Sequence, residues 1–272
     1  MKKIKKFLYI FFLIFFAGVF LVSTFMLGNY WLNSREKGAE YDDLAQQVAQ
    51  IQAQQEKNND SDVPEVTVTT PYTDPVTNER TIVLPEYAPL FLKNTDMVGW
   101  IYVPGTKINY PVMQTPDSPD YYLHRSFQKE YSSHGAIYVK EDCDVNRPSD
   151  NLTIYGHHMN DGSMFAGLDN FKTRNFWEEH KTFSFDTLTA HHTYEVFAVF
   201  KTTATVGEGF KYHEFVNAAD QAEFDAFVAN VKALSFYDTG ITPEYGDKLI
   251  CLSTCEYTQT NGRFVVVARR IS

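Results

Sequence analysis

Seven short runs rich in β-branched and aromatic residues, at 99–103, 108–112, 135–139, 151–155, 193–201, 248–254 and 263–271, dominate the chain beyond its first third. Gly, Pro, Asn and Asp bound them. An isolated run of this length leaves its backbone N–H and C=O groups unpaired, so many such runs in one domain must pair with one another. The economical solution is a closed or nearly closed β architecture. Aromatic residues form 15% of the chain, with 22 Phe and 17 Tyr, a content that suits pleated surfaces better than a helical bundle. Leu249, Ile250, Cys251 and Leu252 are apolar in succession, as in a strand covered on both faces.

Two stretches read as helical. Residues 163–171 form a short one. Residues 217–234 form a clearer one, with Phe224, Phe227, Val228, Val231 and Leu234 on one face. Asn217 is the expected N-cap, with Asp220 in the first turn. The expectation is a mostly β fold, a closed barrel with a few peripheral helices. Cys255 falls just past one strand and Arg263 starts the next, so residues 256–262 should form a hairpin-like loop with thiol and guanidinium at one end of the barrel.

The amino terminus has a different character. Lys2, Lys3, Lys5 and Lys6 precede an uncharged run from residue 7 to residue 27, long enough to cross a bilayer as a helix. Asn29, Tyr30 and Trp31 follow it, and aromatic rings favour the membrane–water interface. A cleaved signal peptide is the alternative, but bulky residues continue to the end of the run without a small-x-small site. Lysines stay on the cytoplasmic side, so either reading exports the body of the chain. The expected organisation is a tail over 1–6, an anchor over 7–32, a juxtamembrane helix and extended linker over 33–85, and one compact domain over 86–272. Leu44, Val48 and Ile51 give the juxtamembrane segment a thin apolar stripe.

The formal net charge is −10. Nucleic-acid binding, which needs clustered Lys and Arg for phosphate contacts, is therefore not expected. The three cysteines, Cys143, Cys251 and Cys255, leave at least one free thiol and show no structural zinc spacing. Asp142, Asp144 and Glu130 match no EF-hand spacing and read as a solvated loop. No cofactor or metal is expected.

A cysteine acyl-transfer site needs a thiol nucleophile, a proton donor for the leaving amine, and a positive group for the developing oxyanion. Cys255, His157 and Arg263 could fill these roles. Taken singly, each has a plainer reading: a cysteine packed at a strand end, a surface or core histidine, a solvated arginine. Arginine nonetheless suits an oxyanion or peptide carbonyl better than lysine, because its charge is permanent and its donors form a rigid fork.

The sequence around the three residues changes that balance. Thr153-Ile154-Tyr155-Gly156-His157-His158-Met159 resembles the histidine motif of the sortase family. Leu252-Ser253-Thr254-Cys255-Glu256-Tyr257 resembles its cysteine motif, and Gly262-Arg263-Phe264-Val265-Val266 the strand that carries its arginine. Val98-Gly99-Trp100-Ile101, Pro104-Gly105-Thr106, Ile108-Asn109-Tyr110-Pro111-Val112 and Asp120-Tyr121-Tyr122-Leu123 look like the segments that open the domain in that family. The contexts are most similar to class B, and the resemblance runs from about residue 90 to the carboxyl end.

The resemblance implies a membrane-anchored cysteine transpeptidase. Such an enzyme cleaves a carboxyl-terminal sorting signal of an exported protein through a thioacyl intermediate. It then transfers that protein to an amine of a peptidoglycan precursor. Carried over, Cys255 is the nucleophile, His157 the acid–base group and Arg263 the oxyanion and substrate clamp. Leu123, Tyr155, Ser253, Thr254 and Glu256 are candidates to line the substrate groove. The expected partners are sorting-signal proteins, the precursor amine and the membrane.

His158 should face away from His157, since adjacent strand residues point to opposite faces. His191 and His192 read as a turn. Cys251 should be buried and inert, and acidic neighbours should raise the Cys143 thiol. Two rival readings remain. An L,D-transpeptidase-like enzyme also uses Cys and His, but its motif has the form S-x-G-C-x-R, whereas Glu256 and Tyr257 follow Cys255 here. A tethered binding module that merely reuses the barrel would keep its function without Cys255.

Overall fold

A computed structural model describes residues 2–59, 71–73 and 78–272. The chain divides into two units, Met1–Glu40 and Tyr41–Ser272. The first lies within helix α1 (Lys2–Asn59). Its Ile4–Gly28 portion is long and apolar enough to cross a membrane, because every backbone polar group of a helix is satisfied internally. The side chains of residues 29–37, including Tyr30 and Trp31, lie outside the described residues.

The second unit holds the rest of α1 and the β domain. Strands β1 (Pro71–Thr73) and β2 (Arg80–Ile82) form a small antiparallel ribbon within the stretch expected to be linker. Residues 60–70 and 74–77 of that stretch lie outside the described residues. Helix α2 (Ala88–Lys93) follows, then β3 (Met97–Tyr102), β4 (Asn109–Met113), β5 (Ile137–Val139) and β6 (Asn151–Tyr155). Next come α3 (Arg174–Glu179), β7 (Thr182–Thr187), β8 (Thr193–Thr203), α4 (Gln221–Leu234), β9 (Leu249–Glu256) and β10 (Gly262–Arg270). Strands β3–β10 close into one barrel in the order β10-β8-β7-β3-β4-β5-β6-β9. Two pairings, β4 with β5 and β6 with β9, are parallel. The mostly β closed barrel is the expected fold.

Local differences have local causes. Residues 165–172 form a 3-10 helix in place of the expected helix at 163–171. Helix α4 starts at Gln221 because the Asp220 carboxylate accepts a hydrogen bond from Glu223 N. Asp220, not Asn217, is therefore the N-cap; the Asn217 amide oxygen instead accepts from Asp150 N. Cys255 sits inside β9 rather than just past it. Strand β7 is not among the expected runs, because Ser184 and Asp186 interrupt its apolar residues. Asp186 is buried, yet its carboxylate accepts hydrogen bonds from Tyr87 Oη at 2.6 Å and His192 N at 3.1 Å. That partnering offsets the cost of burying a charged group.

The core has two parts. One is the barrel interior, where Ile101, Val112, Ile154, Ile250, Leu252, Phe264 and Val266 meet. The other lies outside the wall, where Phe224, Phe227, Val228 and Val231 of α4 pack on Leu249, Cys251, Val265 and Val267. Strands β9 and β10 are thus buried on both faces, which is why their apolar residues run in succession. No residue of α4 lines the site cavity, and the wall positions beyond Cys251 on that face, Ser253 and Cys255, face the cavity instead.

The thin stripe on the polar part of α1 is structural. Tyr41, Leu44 and Val48 are all buried, and Tyr41 Oη donates to Gly135 O at 2.7 Å. The compact unit therefore includes residues ahead of 86. Leu44→Ala should destabilise the unit by about 2–5 kcal/mol, the usual cost of emptying a buried leucine site. Urea denaturation measures it; an unchanged midpoint would mean the stripe does not pack in solution.

Candidate active site

Strand register brings the first two candidate residues together. In the antiparallel β9–β10 pair, Cys255 stands directly opposite Arg263. Residues so opposed share a face, with Cβ atoms about 4.5–5.5 Å apart. Strand β6 runs parallel on the other side of β9 and brings Tyr155 level with Ser253. Gly156 N then donates to Ser253 O at 3.1 Å, and His157 follows at the same rim. Gly156 is required for this close approach: a Cβ there would meet Ile137 Cδ1 at 2.5 Å and the Phe165 ring at 2.7 Å.

His157, Cys255 and Arg263 all line one cavity of about 370 Å³. Leu123, Tyr155, Ser253 and Thr254 line it with them. Glu256 does not line it. Its carboxylate is buried, accepting from Lys201 Nζ at 2.6 Å and from Thr258 Oγ1 at 2.7 Å. Alternation along β9 turns Glu256 to the opposite face from Cys255. Sequence reasoning did not single out Tyr138, Phe210 or Tyr212, which also line the cavity. Tyr138 Oη donates to Asp120 Oδ1 at 2.7 Å, and Tyr212 Oη pairs with Ser253 Oγ at 2.5 Å. Nothing local in their sequence marks them, since they reach the site only through loop and strand placement.

A family model for the sortase domain matches residues 101–271. Sortase B of Staphylococcus aureus is 33% identical over 191 residues, covering 70% of this chain and 76% of that protein. Sortase B of Listeria monocytogenes is 35% identical over 182 residues, covering 66% and 71%. The chain belongs to the sortase family. Among solved structures, a Staphylococcus aureus sortase B–substrate complex superposes with a TM-score of 0.72 at 27% identity, covering 89% of this chain and 99% of that one. Sortase B from Bacillus anthracis in complex with AAEK1 gives 0.62 at 31% identity, covering 75% and 90%. The protein is thus a sortase transpeptidase of the class B kind, with a mostly β barrel and an amino-terminal helix that fits a membrane anchor. This membership removes the L,D-transpeptidase and binding-module readings.

Within the sortase cavity, the electrostatics distinguish the groups. His157 Nε2 lies 2.7 Å from Leu123 O. A carbonyl can only accept, so Nε2 carries the proton and Nδ1 is the bare nitrogen of the neutral ring. Burial pushes the imidazole below its usual range, and charge on His124 and His134 would push it the same way; the Leu123 carbonyl opposes them only in part. The Arg263 guanidinium donates to Gly262 O at 3.0 Å and Asn261 O at 3.4 Å. Among the described residues no carboxylate pairs with it, which leaves its charge for a ligand in the cavity.

The other thiols are unsuited to attack. Burial pushes Cys143 up to about 11, with Asp142 adding to it; burial, not the acidic neighbours, is the main cause. Cys251 is fully buried and pushed up by that burial. Cys255 is only half-buried. His158 does not line the cavity, and its Nε2 pairs with Asp169 at 3.1 Å. His191 sits in a turn and bridges Asp186 and Glu86.

Two titrations follow from these surroundings. The fold favours neutral His157, so its NMR titration should have a midpoint below the ordinary 6.5. Stability should correspondingly fall as pH drops through that value, because the unfolded chain takes up the proton first. A midpoint above 6.5 would refute the burial argument. Glu256 behaves in the opposite sense. Burial raises its carboxyl, but hydrogen bonds from Lys201 and Thr258 outweigh that and hold it below the ordinary 4.5. Its contribution is full above 4.5 and lost as pH falls through the depressed value. Glu256→Gln should therefore flatten the acid limb of thermal stability, and an unaltered limb would count against the ion pair.

Proposed function

We propose that this sortase cleaves a carboxyl-terminal sorting signal with Cys255 as nucleophile, His157 as acid–base group and Arg263 as clamp. The observation that supports this most is the register that sets Cys255 opposite Arg263 in the cavity that His157 also lines. Cys255 Sγ attacks the scissile carbonyl, and its proton passes to His157 Nδ1. The carbonyl oxygen becomes an oxyanion, which the Arg263 guanidinium stabilises through charge and hydrogen bonds. When the C–N bond breaks, His157 returns that proton to the leaving amine and a thioester remains. An incoming amine then attacks the thioester, giving its proton to His157 and releasing the thiolate, which is reprotonated. One proton thus cycles through the imidazole, which suits a histidine kept neutral at rest.

Leu123, Tyr155, Ser253 and Thr254 line the groove for the signal, and Glu256 holds the β9–β10 hairpin from outside it. The acceptor is an amine of a cell-wall peptidoglycan precursor. A sortase B has been solved in complex with triglycine, so a triglycine amine is the first acceptor to try. Lysines 2, 3, 5 and 6 hold the tail over 1–6 in the cytoplasm, and the apolar helix spans the membrane once. The catalytic unit then faces the cell surface, where exported proteins bearing the signal meet the precursor.

Sorting-signal peptides presented with triglycine test the reading by product mass. Cys255→Ala and His157→Ala should each lose at least about 1000-fold in turnover while keeping the fold. Arg263→Lys should lose about 100-fold, because an ammonium cannot reproduce the fork. A trapped acyl adduct should map to Cys255. Normal turnover in Cys255→Ala, or an adduct on Cys143 or Cys251, would sink the assignment.

A further inference from the structure

The turn that holds His157 carries a second imidazole. His124 ends the 3-10 turn Tyr121–His124. Its ring centroid lies 5.8 Å from that of His157, with the planes only 25° apart. Beyond His124 comes Tyr131, at 6.4 Å and 30°, an exposed ring. Three rings are therefore stacked from the surface inward to the proposed acid–base group.

A hydrogen bond at Nε2 fixes one atom of the His157 ring but not its plane, because the terminal torsion of histidine is soft and broad. A ring lying against its face supplies the missing constraint. We propose that His124 is a positioning residue for His157: its ring covers one face of the imidazole and, with the Leu123 carbonyl at Nε2, fixes the plane in which Nδ1 is presented to Cys255. The inference rests on His157 being the acid–base group.

Such a platform is useful only if it is rigid, and this one is heavily tied. Ala136 N donates to Tyr122 O at 3.0 Å, and Ser132 N donates to His124 O at 3.0 Å. Tyr122 Oη donates to Asp96 Oδ2 at 2.7 Å and accepts from Asn94 Nδ2 at 2.8 Å. Asp120, which enters the turn with a left-handed φ of 57°, is held by Tyr138 Oη. Leu123 O and His124 are consecutive on this turn, so one element supplies both constraints. Groups held in reacting geometry by such a shell gain rate through orientation rather than through tighter substrate binding.

The test combines kinetics with a measurement that needs no turnover. His124→Ala should lower kcat about tenfold and leave KM for the signal peptide unchanged. His124→Phe, which keeps a stacked ring without the nitrogens, should restore kcat to within about twofold. In parent protein, the 15N histidine spectrum should show His157 as one sharp Nε2–H tautomer, and His124→Ala should broaden or average that signal. A kcat for His124→Ala within about twofold of parent, a change in KM instead, or a Phe variant no better than Ala would each overturn the proposal. A parent protein inactive on every sorting signal would count against the sorting-signal reading itself, while the spectrum would still judge the stack.

Discussion

The antiparallel pairing of β9 with β10 is the interaction on which the site depends. It places Cys255 against Arg263, and a slip of one residue would send both to opposite faces. The register is pinned because both faces of these strands are buried. Ile250, Leu252, Phe264 and Val266 fill the barrel, while Leu249, Cys251, Val265 and Val267 meet α4. Any slip would exchange the two sets and break two packed cores together. The Lys201–Glu256 pair, its carboxylate buried, ties the hairpin to β8 from the side away from the cavity. Glu256 thus contributes to the site indirectly, by fixing where the strand carrying the thiol ends.

His157 depends on a different set of forces. The strand that leads to it, β6, is fixed by parallel pairing to β9, and the absent side chain of Gly156 lets the chain pass close to Ile137 and Phe165. The ring itself is governed by the turn Tyr121–His124, which contacts it through a carbonyl and a stacked ring. Strand register therefore fixes Cys255 and Arg263, and a tied-down loop fixes the His157 ring. Burial of the imidazole also favours its neutral form, the form that the proposed proton transfer from the thiol requires. The Arg263 guanidinium donates to backbone carbonyls of its own hairpin, and among the described residues no carboxylate pairs with it.

Much of the barrel was legible because its strands announce themselves. Asn151–Tyr155 matches its expected bounds, and the remaining expected strands are displaced by one to two residues at most ends. Strand β7 was hidden because Asp186, a poor strand residue, is satisfied by the hairpin that follows it, through His191 and His192 N, and by Tyr87, 99 positions away. The Leu44–Val48–Ile51 stripe read only as a juxtamembrane helix because three apolar residues on a polar helix say nothing of what covers them; in the structure Leu44 and Val48 are buried together with Tyr41, and Ile51 is half-buried. The N-cap of α4 was misplaced by three residues because Asn217 and Asp220 are both good caps, and the choice fell to Asn217's tertiary bond with Asp150.

The sequence by itself determined the β character of the chain, the apolar helix at its start, and the local contexts of His157, Cys255 and Arg263, all of which are short-range patterns. Tertiary structure decided what those contexts amount to: which nitrogen of His157 is bare, that Glu256 turns away from the groove, and that Tyr138, Tyr212 and His124 stand around the site. The physical reason is that strand order, register and loop packing join residues tens to more than a hundred positions apart. Those contacts are selected by the burial of whole faces together, which no local run of residues encodes.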